Sequence, residues 1–169
     1  MDPLALHVAE RHLTALKGRM YFDIDWMSPA VIRVNLFDPG HYGGQESWEG
    51  TKPSSGSIGY VTLNMTHEDE MDHQPECQAN VTALRKKIRK PKAKVWFVGG
   101  SDLDPQYRSK GIGSLIYSKA LKEVSPAIVT PGRCNAIGGT SSLAARIWKS
   151  LASRYRSAGY GDTVAIWVP

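Results

Sequence analysis

The sequence predicts a mixed α/β domain built around one central sheet, and three observations carry that expectation. First, "AVIRVNLF" (Ala30 to Phe37) and "SIGYVTLNM" (Ser57 to Met65) alternate apolar with polar residues, the period of a half-buried strand. Second, apolar residues recur at helical spacing behind Gly111 and Gly113 and again after Ser141. Third, strand, glycine-bearing turn and helix follow one another directly between Lys94 and Leu121. The 169 residues, 41% hydrophobic and 22% charged, fit a single domain spanning 1–169 with a real core and leave little room for a second.

Taken in order, Leu4, Ala5, Val8, Leu13 and Leu16 come close to a helical stripe that Gly18 closes at a C-cap position, so the chain is expected to open with a helix. The two alternating strands follow, joined by "DPGHYGGQESWEGTKPSSG", whose density of Gly, Pro and Ser predicts a long loop. An acidic loop leads to a short basic helix around "NVTALRKKIRK" and then to the strand "KVWFVGG" (Lys94 to Gly100). Beyond the glycine segment, Ile112, Leu115, Ile116, Ala120 and Leu121 share one helical face. A strand at "AIVT", a turn at "NAIGGT", a helix from about Ser141 to Tyr155 and a closing strand "TVAIWV" complete the chain.

Composition excludes several function classes. Two cysteines, Cys77 and Cys134, make no disulfide framework and no metal-type pair, so both are expected as free thiols in a reducing compartment. The N-terminal "MDPLALHVAERHLTALKGR" carries charges and histidines through its apolar positions, unlike a signal peptide. No run approaches the roughly 18 apolar residues of a spanning helix, so a soluble, cytoplasmic protein without a membrane partner is expected. A net charge of +5 favours acidic partners: phosphate-bearing ligands, nucleic acid or an acidic protein surface.

"DPQYRSKGIGSLIYSKAL" (Asp104 to Leu121) concentrates the chemistry. The first N–H groups of a helix have no intrahelical partner and sit at the positive end of the macrodipole, so a glycine-bearing turn entering a helix is an anion site. Gly111 and Gly113 let backbone pass close to a phosphate, Ser109 and Ser114 add hydroxyls, and Arg108 and Lys110 add positive charge. Ordinary tight turns share the bare G-x-G pattern, and neither a Walker lysine nor G-x-G-x-x-G is present.

"LDPQYRSKGIG" (Leu103 to Gly113) resembles the acyl-CoA-binding signature of the GNAT superfamily of N-acyltransferases, whose typical form is V-x-P-x-Y-R-G-K-G-I-G. "YRSAGY" (Tyr155 to Tyr160) resembles the family's second segment, Y-x-x-x-G-F/Y. The resemblance covers about 94–169, the acyl-CoA-binding core, and leaves 1–93 as the acceptor-side half. It implies a mixed, mostly antiparallel sheet splayed near the signature strand, with helices on both faces. It also implies transfer of an acetyl group from acetyl-CoA, as cosubstrate and without a metal, directly to an amine. Backbone near Asp102 and Leu103 would hold the acyl carbonyl and pantetheine amides. The N–H groups of Arg108, Ser109, Lys110, Gly111, Ile112, Gly113 and Ser114 would hold the pyrophosphate. Tyr155 matches the tyrosine that protonates the departing thiolate. Many members carry a glutamate on the signature strand where "VWFVGG" has no carboxylate, so Asp102, Asp104, Glu46 or a water chain stand as alternatives for the base. The acceptor is open among a protein amine, a small amine and an aminoacyl-tRNA, and a homodimer is also open. A non-catalytic acyl-CoA-binding or nucleic-acid-binding module is the alternative to an enzyme.

Other features have simpler readings beside their chemical ones. "HEDEMDH" (His67 to His73) has metal-ligand residue types without helical spacing and reads as a solvated acidic loop. From Arg85 to Lys94, seven of ten residues are Lys or Arg; they offer a footprint to nucleic acid or the CoA phosphate, or form the wet face of a helix whose dry face is Val81, Leu84 and Ile88. Trp26, Phe37, Tyr42 and Trp48 surround the long loop and fit an acceptor pocket or the core. Trp148, with the stripe Leu143, Ile147 and Leu151, reads as core.

Overall fold

The computed structural model describes residues 20–38, 57–66, 75–132 and 141–169. The helix expected over Leu4 to Leu16, the loop between the alternating strands, the acidic run and the turn "NAIGGT" lie outside them. The described order is β1 (Tyr21–Ser28), β2 (Val31–Phe37), β3 (Ser57–Thr66), α1 (Pro75–Ile88), β4 (Val95–Leu103), a short 3-10 turn (Pro105–Tyr107), α2 (Ile112–Val124), β5 (Ala127–Thr130), α3 (Ser142–Arg154), β6 (Arg156–Ala158), a second 3-10 turn (Gly161–Thr163) and β7 (Ala165–Val168). The strands hydrogen-bond in the order β1-β2-β3-β4-β5-β7-β6. Pairs β1/β2, β5/β7 and β6/β7 are antiparallel and β4/β5 is parallel, so the sheet is mixed, as the α/β reading expects. Among the described residues no helix is long and apolar enough to cross a membrane.

Two compact units divide the chain. The first holds Leu63–Gly99 and Leu121–Pro169. In it α1 buries Cys77, Val81, Leu84 and Ile88, one helical face, against Val95 of β4, Ile128 of β5 and Ala165 and Trp167 of β7. Strands β5 and β7 are buried at every position, so both of their faces are covered, which is why "AIVT" and "AIWV" run apolar without alternating. The basic helix starts five residues before the expected Asn80, at Pro75. Lys86, Lys87, Arg89 and Lys90 are exposed, as the amphipathic reading predicts. The helix closes in a Schellman pattern: Arg89 takes φ 58, its N–H donates to the Lys86 carbonyl, and the Lys90 N–H reaches back to the Arg85 carbonyl. Arg85 Nη2 donates to the Ala93 carbonyl at 2.9 Å, so this cation ties down the turn after the helix.

Two expectations are corrected in this unit. Cys77 is disulfide-bonded, not a free thiol; the chain's other cysteine, Cys134, lies outside the described residues. On α3, Trp148 and Leu151 are buried as expected, but the rest of the expected stripe is not: Leu143 is 39% exposed and Ile147 half-buried. Helix α3 starts at an N-cap, Ser141, whose Oγ accepts from the Ala144 N–H. Edge strand β6 was not expected as a strand; it pairs Arg156 with Trp167 and Ala158 with Ala165.

The second unit holds the described residues from 20 to 62 and Gly100–Ala120. Its hairpin runs in register from Tyr21↔Phe37 to Trp26↔Ile32. Ile32, Val34 and Leu36 are wholly buried on one face of β2, while the Tyr21 and Phe37 rings stack at 5.3 Å on the other. Of the aromatic cluster, Trp26 is 47% exposed and Phe37 is half-buried; Tyr42 and Trp48 lie outside the described residues. Strand β3 brings Gly59 against the end of β4 so closely that a Cβ there would lie 2.8 Å from the Asp102 carbonyl oxygen and 2.8 Å from Leu103 Cδ1. A glycine is required at that approach.

The glycine loop as candidate functional site

Strand β4 runs three residues past the expected Gly100 and ends at Leu103. Asp104 then turns the chain. Its N–H donates to the Ile58 carbonyl at 2.8 Å, and its Oδ1 accepts from the Gln106 N–H at 3.1 Å, capping the 3-10 turn. Pro105, at the first position of that turn, gives up no needed donor. The chain next passes through the left-handed region twice, at Ser109 (φ 59) and Gly111 (φ 79). For Gly111 this conformation is free of strain; for Ser109 it costs on the order of 1–2 kcal/mol, which the surrounding turn supplies. The first bond of α2 runs from the Leu115 N–H to the Gly111 carbonyl at 3.3 Å. The N–H groups of Ile112, Gly113 and Ser114 therefore precede the helical ladder, at the positive end of the helix dipole.

Within the loop the candidate residues behave differently. Ile112 is buried, so only its backbone is offered to a ligand, while Ser109 and Lys110 are exposed and Gly111, Gly113 and Ser114 are half-buried. The Arg108 N–H donates to the Pro105 carbonyl, and its Nε donates to the Leu103 carbonyl at 2.7 Å. Arg108 Nη2 also lies 3.4 Å from Asp102 Oδ1, an exposed pair, and the same oxygen accepts from the Leu103 N–H at 2.7 Å. Asp102, Leu103 and Arg108 thus form one small ring of bonds, in which the backbone of Leu103 is occupied by the two side chains. Lys110 is left as the solvent-facing cation of the loop.

Sequence reading missed one member of this unit. Asp38, directly after β2, is only 4% exposed, and its Oδ2 accepts from the Tyr107 hydroxyl at 2.8 Å. A second cross-element bond joins Ser101 Oγ and Tyr107's neighbour in role, Tyr117, whose hydroxyl lies 2.9 Å away. Sixty-nine residues separate Asp38 from Tyr107, so no local pattern marks the pair. Tyr107→Phe removes the donor and leaves a buried carboxylate short of one bond; it is expected to lower unfolding free energy by about 1–3 kcal/mol. Combining it with Asp38→Ala should cost less than the sum of the single changes, and urea unfolding of the four proteins reads the coupling. Additive losses would disprove the coupling.

Tyr155 belongs to the other unit. It is the C-cap of α3, half-buried, with extended backbone (φ −102, ψ 155) and an N–H donating to the Leu151 carbonyl at 3.0 Å. Of the carboxylates considered for a base, Asp102 is exposed and paired with Arg108, Asp104 caps the 3-10 turn, and Glu46 lies outside the described residues. No family model matches the chain, and neither a curated protein nor a solved structure matches it.

Proposed function

We propose that the chain is a GNAT-like N-acetyltransferase that passes an acetyl group from acetyl-CoA directly to an amine. The observation that carries the reading is the loop after β4, where two left-handed residues and a 3-10 turn set the Ile112, Gly113 and Ser114 N–H groups ahead of α2. The positive φ at Ser109 supports it further, because that is the position at which the family signature has glycine. So does the parallel pairing of β4 with β5, which runs from Val95↔Ile128 to Phe97↔Thr130 while β4 continues to Leu103. A splayed sheet of the GNAT type has this short pairing.

In the reaction a neutral amine attacks the thioester carbonyl, the C–S bond breaks, and the sulfur leaves as a thiolate. Tyr155 supplies the proton that the thiolate takes up, and the proton lost by the amine passes to a base or to water. The oxygen-rich pyrophosphate is assigned to the loop N–H groups and Lys110. A cytoplasmic location belongs to the same reading, and the disulfide at Cys77 counts against it, because cytosolic thiols are kept reduced. Strand β4 carries no carboxylate before Asp102, and this favours a second reading, a non-catalytic acyl-CoA-binding module.

Incubation with radiolabelled acetyl-CoA and then with mixed peptides, polyamines and aminoacyl-tRNA tests both. Label transferred to one acceptor class is the expected result. Acetyl-CoA binding with no transfer to any class would leave the binding module, and absence of binding would refute both.

A further inference from the structure

We propose that the edge made by the C-terminal end of α1 and strand β6 binds single-stranded nucleic acid, holding phosphates on Lys87, Lys90 and Arg156 and stacking a base on Tyr160. Four observations within one unit converge on this. Lys87 Nζ donates to the Ser157 carbonyl at 3.2 Å, which lays the end of α1 beside β6. Lys90 Nζ stands 5.8 Å from the centroid of the Trp167 ring. Arg156 is the register partner of Trp167 across β6 and β7, so its side chain leaves the sheet on the same face as that indole. Lys90 and Arg156 therefore share the face of the sheet that carries the Trp167 ring although 66 residues separate them in the sequence, and Lys87 reaches the neighbouring backbone of β6. Like charges repel, and an arrangement of this kind is relieved by an anion shared among them.

The acidic residues in the described part of this unit stand elsewhere. Glu76 is in the first turn of α1, Asp162 is in the 3-10 turn that Asn80 holds through Thr163, and Glu123 is in the last turns of α2. From Asn80 to Lys87 the helix rises about 10 Å, so Glu76 and the turn that carries Asp162 are set back along α1 from Lys87 and Lys90. An acidic protein surface would be recognised equally well by the cations alone. Nucleic acid is favoured by Tyr160, which is 88% exposed. It is held between Gly159 (φ 78) and Gly161 (φ 60), and a Cβ at Gly159 would collide with the Asn80 side-chain amide. The ring thus follows β6, four residues beyond Arg156, beside Asn80 of α1 and two residues from Asp162, with nearly all of its surface in water. A cationic track ending in an open aromatic is the combination that single strands use, since unpaired bases stack and a duplex offers none.

The test is fluorescence anisotropy with a labelled 12-nucleotide oligouridylate and a duplex of the same length, at 50 and 200 mM salt. For three phosphate contacts on a single strand the wild-type Kd should rise roughly 20-fold between the two salts. Arg156→Glu should weaken binding at least about fivefold at low salt and shrink that salt dependence. Tyr160→Ala should weaken it about fivefold or more with the salt dependence unchanged, and Tyr160→Phe should bind as wild type, because stacking contributes about 1–3 kcal/mol per base. Tyr160 is exposed, so its variants fold regardless of the outcome at Arg156. Equal affinity for the duplex, wild-type binding by both Arg156→Glu and Tyr160→Ala, or variants that lose affinity only for anionic phosphatidylserine vesicles or an acidic peptide would each overturn the proposal. Acetyl-CoA takes no part in the assay, so its result is independent of the transferase reading.

Discussion

Tyr155→Phe should leave the fold and acetyl-CoA affinity nearly unchanged while turnover falls at least tenfold. The expectation rests on the proposed transferase reaction and on where the residue sits. Tyr155 ends α3 at a point where the backbone has already become extended, and it is half-buried there. Phe preserves the ring and removes the hydroxyl alone, so packing survives. General acid catalysis is typically worth on the order of 10²–10⁴-fold, and a tenfold loss is the least that agrees with that role when chemistry limits the rate. Single-turnover kinetics with the identified acceptor give the comparison, and calorimetric titration gives the affinity. Wild-type turnover under those conditions rules out Tyr155 as the acid. A variant that unfolds assigns the hydroxyl to the core instead.

Gly111→Val and Gly113→Val should each abolish the rise in melting temperature that acetyl-CoA produces in the wild type, for different reasons. A ligand that binds only the folded state stabilises it by mass action, about 2.7 kcal/mol at a hundred times Kd, so the shift is a sensitive reading of the site. Gly111 has φ 79, where a β-branched residue is strained whatever the space around it. Its replacement will lower the melting temperature before any ligand is added. Gly113 lies inside the first turn of α2, so replacing it adds bulk at the helix entrance with little backbone strain. The pair separates loop integrity from close approach: a stable Gly113→Val protein that no longer responds to acetyl-CoA places the phosphate at the helix N-terminus. Undiminished binding in both variants would mean that the site lies elsewhere.

The elements that were legible in the sequence are those with strong contrast between faces. β2 is delimited to within a residue because Ile32, Val34 and Leu36 are wholly buried while their neighbours are not, whereas "AIVT", buried throughout, is delimited by the prolines on either side, Pro126 and Pro131. β1 alternates too, yet Tyr21, Asp23, Asp25 and Trp26 are all exposed, so its pattern carries little information about a core. β6 is three residues long and exists through its pairing with β7, which no local signal announces. In the loop, the glycines and the helix behind them could be read directly. The bonds that Arg108 makes to Leu103 and Asp102 could not, and neither could the Asp38 carboxylate under Tyr107. Both depend on where a distant or turning chain places an atom, whereas periodicity reports only which side of an element is dry. The exposure of Leu143 has the same origin, since helical spacing puts it on the stripe of Leu151 but does not say how far along α3 the packing extends.

The ring formed by Asp102, Leu103 and Arg108 makes ligand binding at the end of β4 an exchange reaction. Any carbonyl that reaches the Leu103 N–H must displace the Asp102 carboxylate, and any amide that pairs with the Leu103 carbonyl must share or take over an oxygen already held by the Arg108 guanidinium. The free energy of such a contact is therefore a difference between two hydrogen bonds, close to zero for similar partners, rather than the full value of one. Both side chains are exposed and reorient on the ps–ns timescale, so eviction adds no slow step to association. What the exchange does change is selectivity. A ligand that brings its own anion to receive the released guanidinium recovers the lost bond, and one that does not is discriminated against before it meets any other residue.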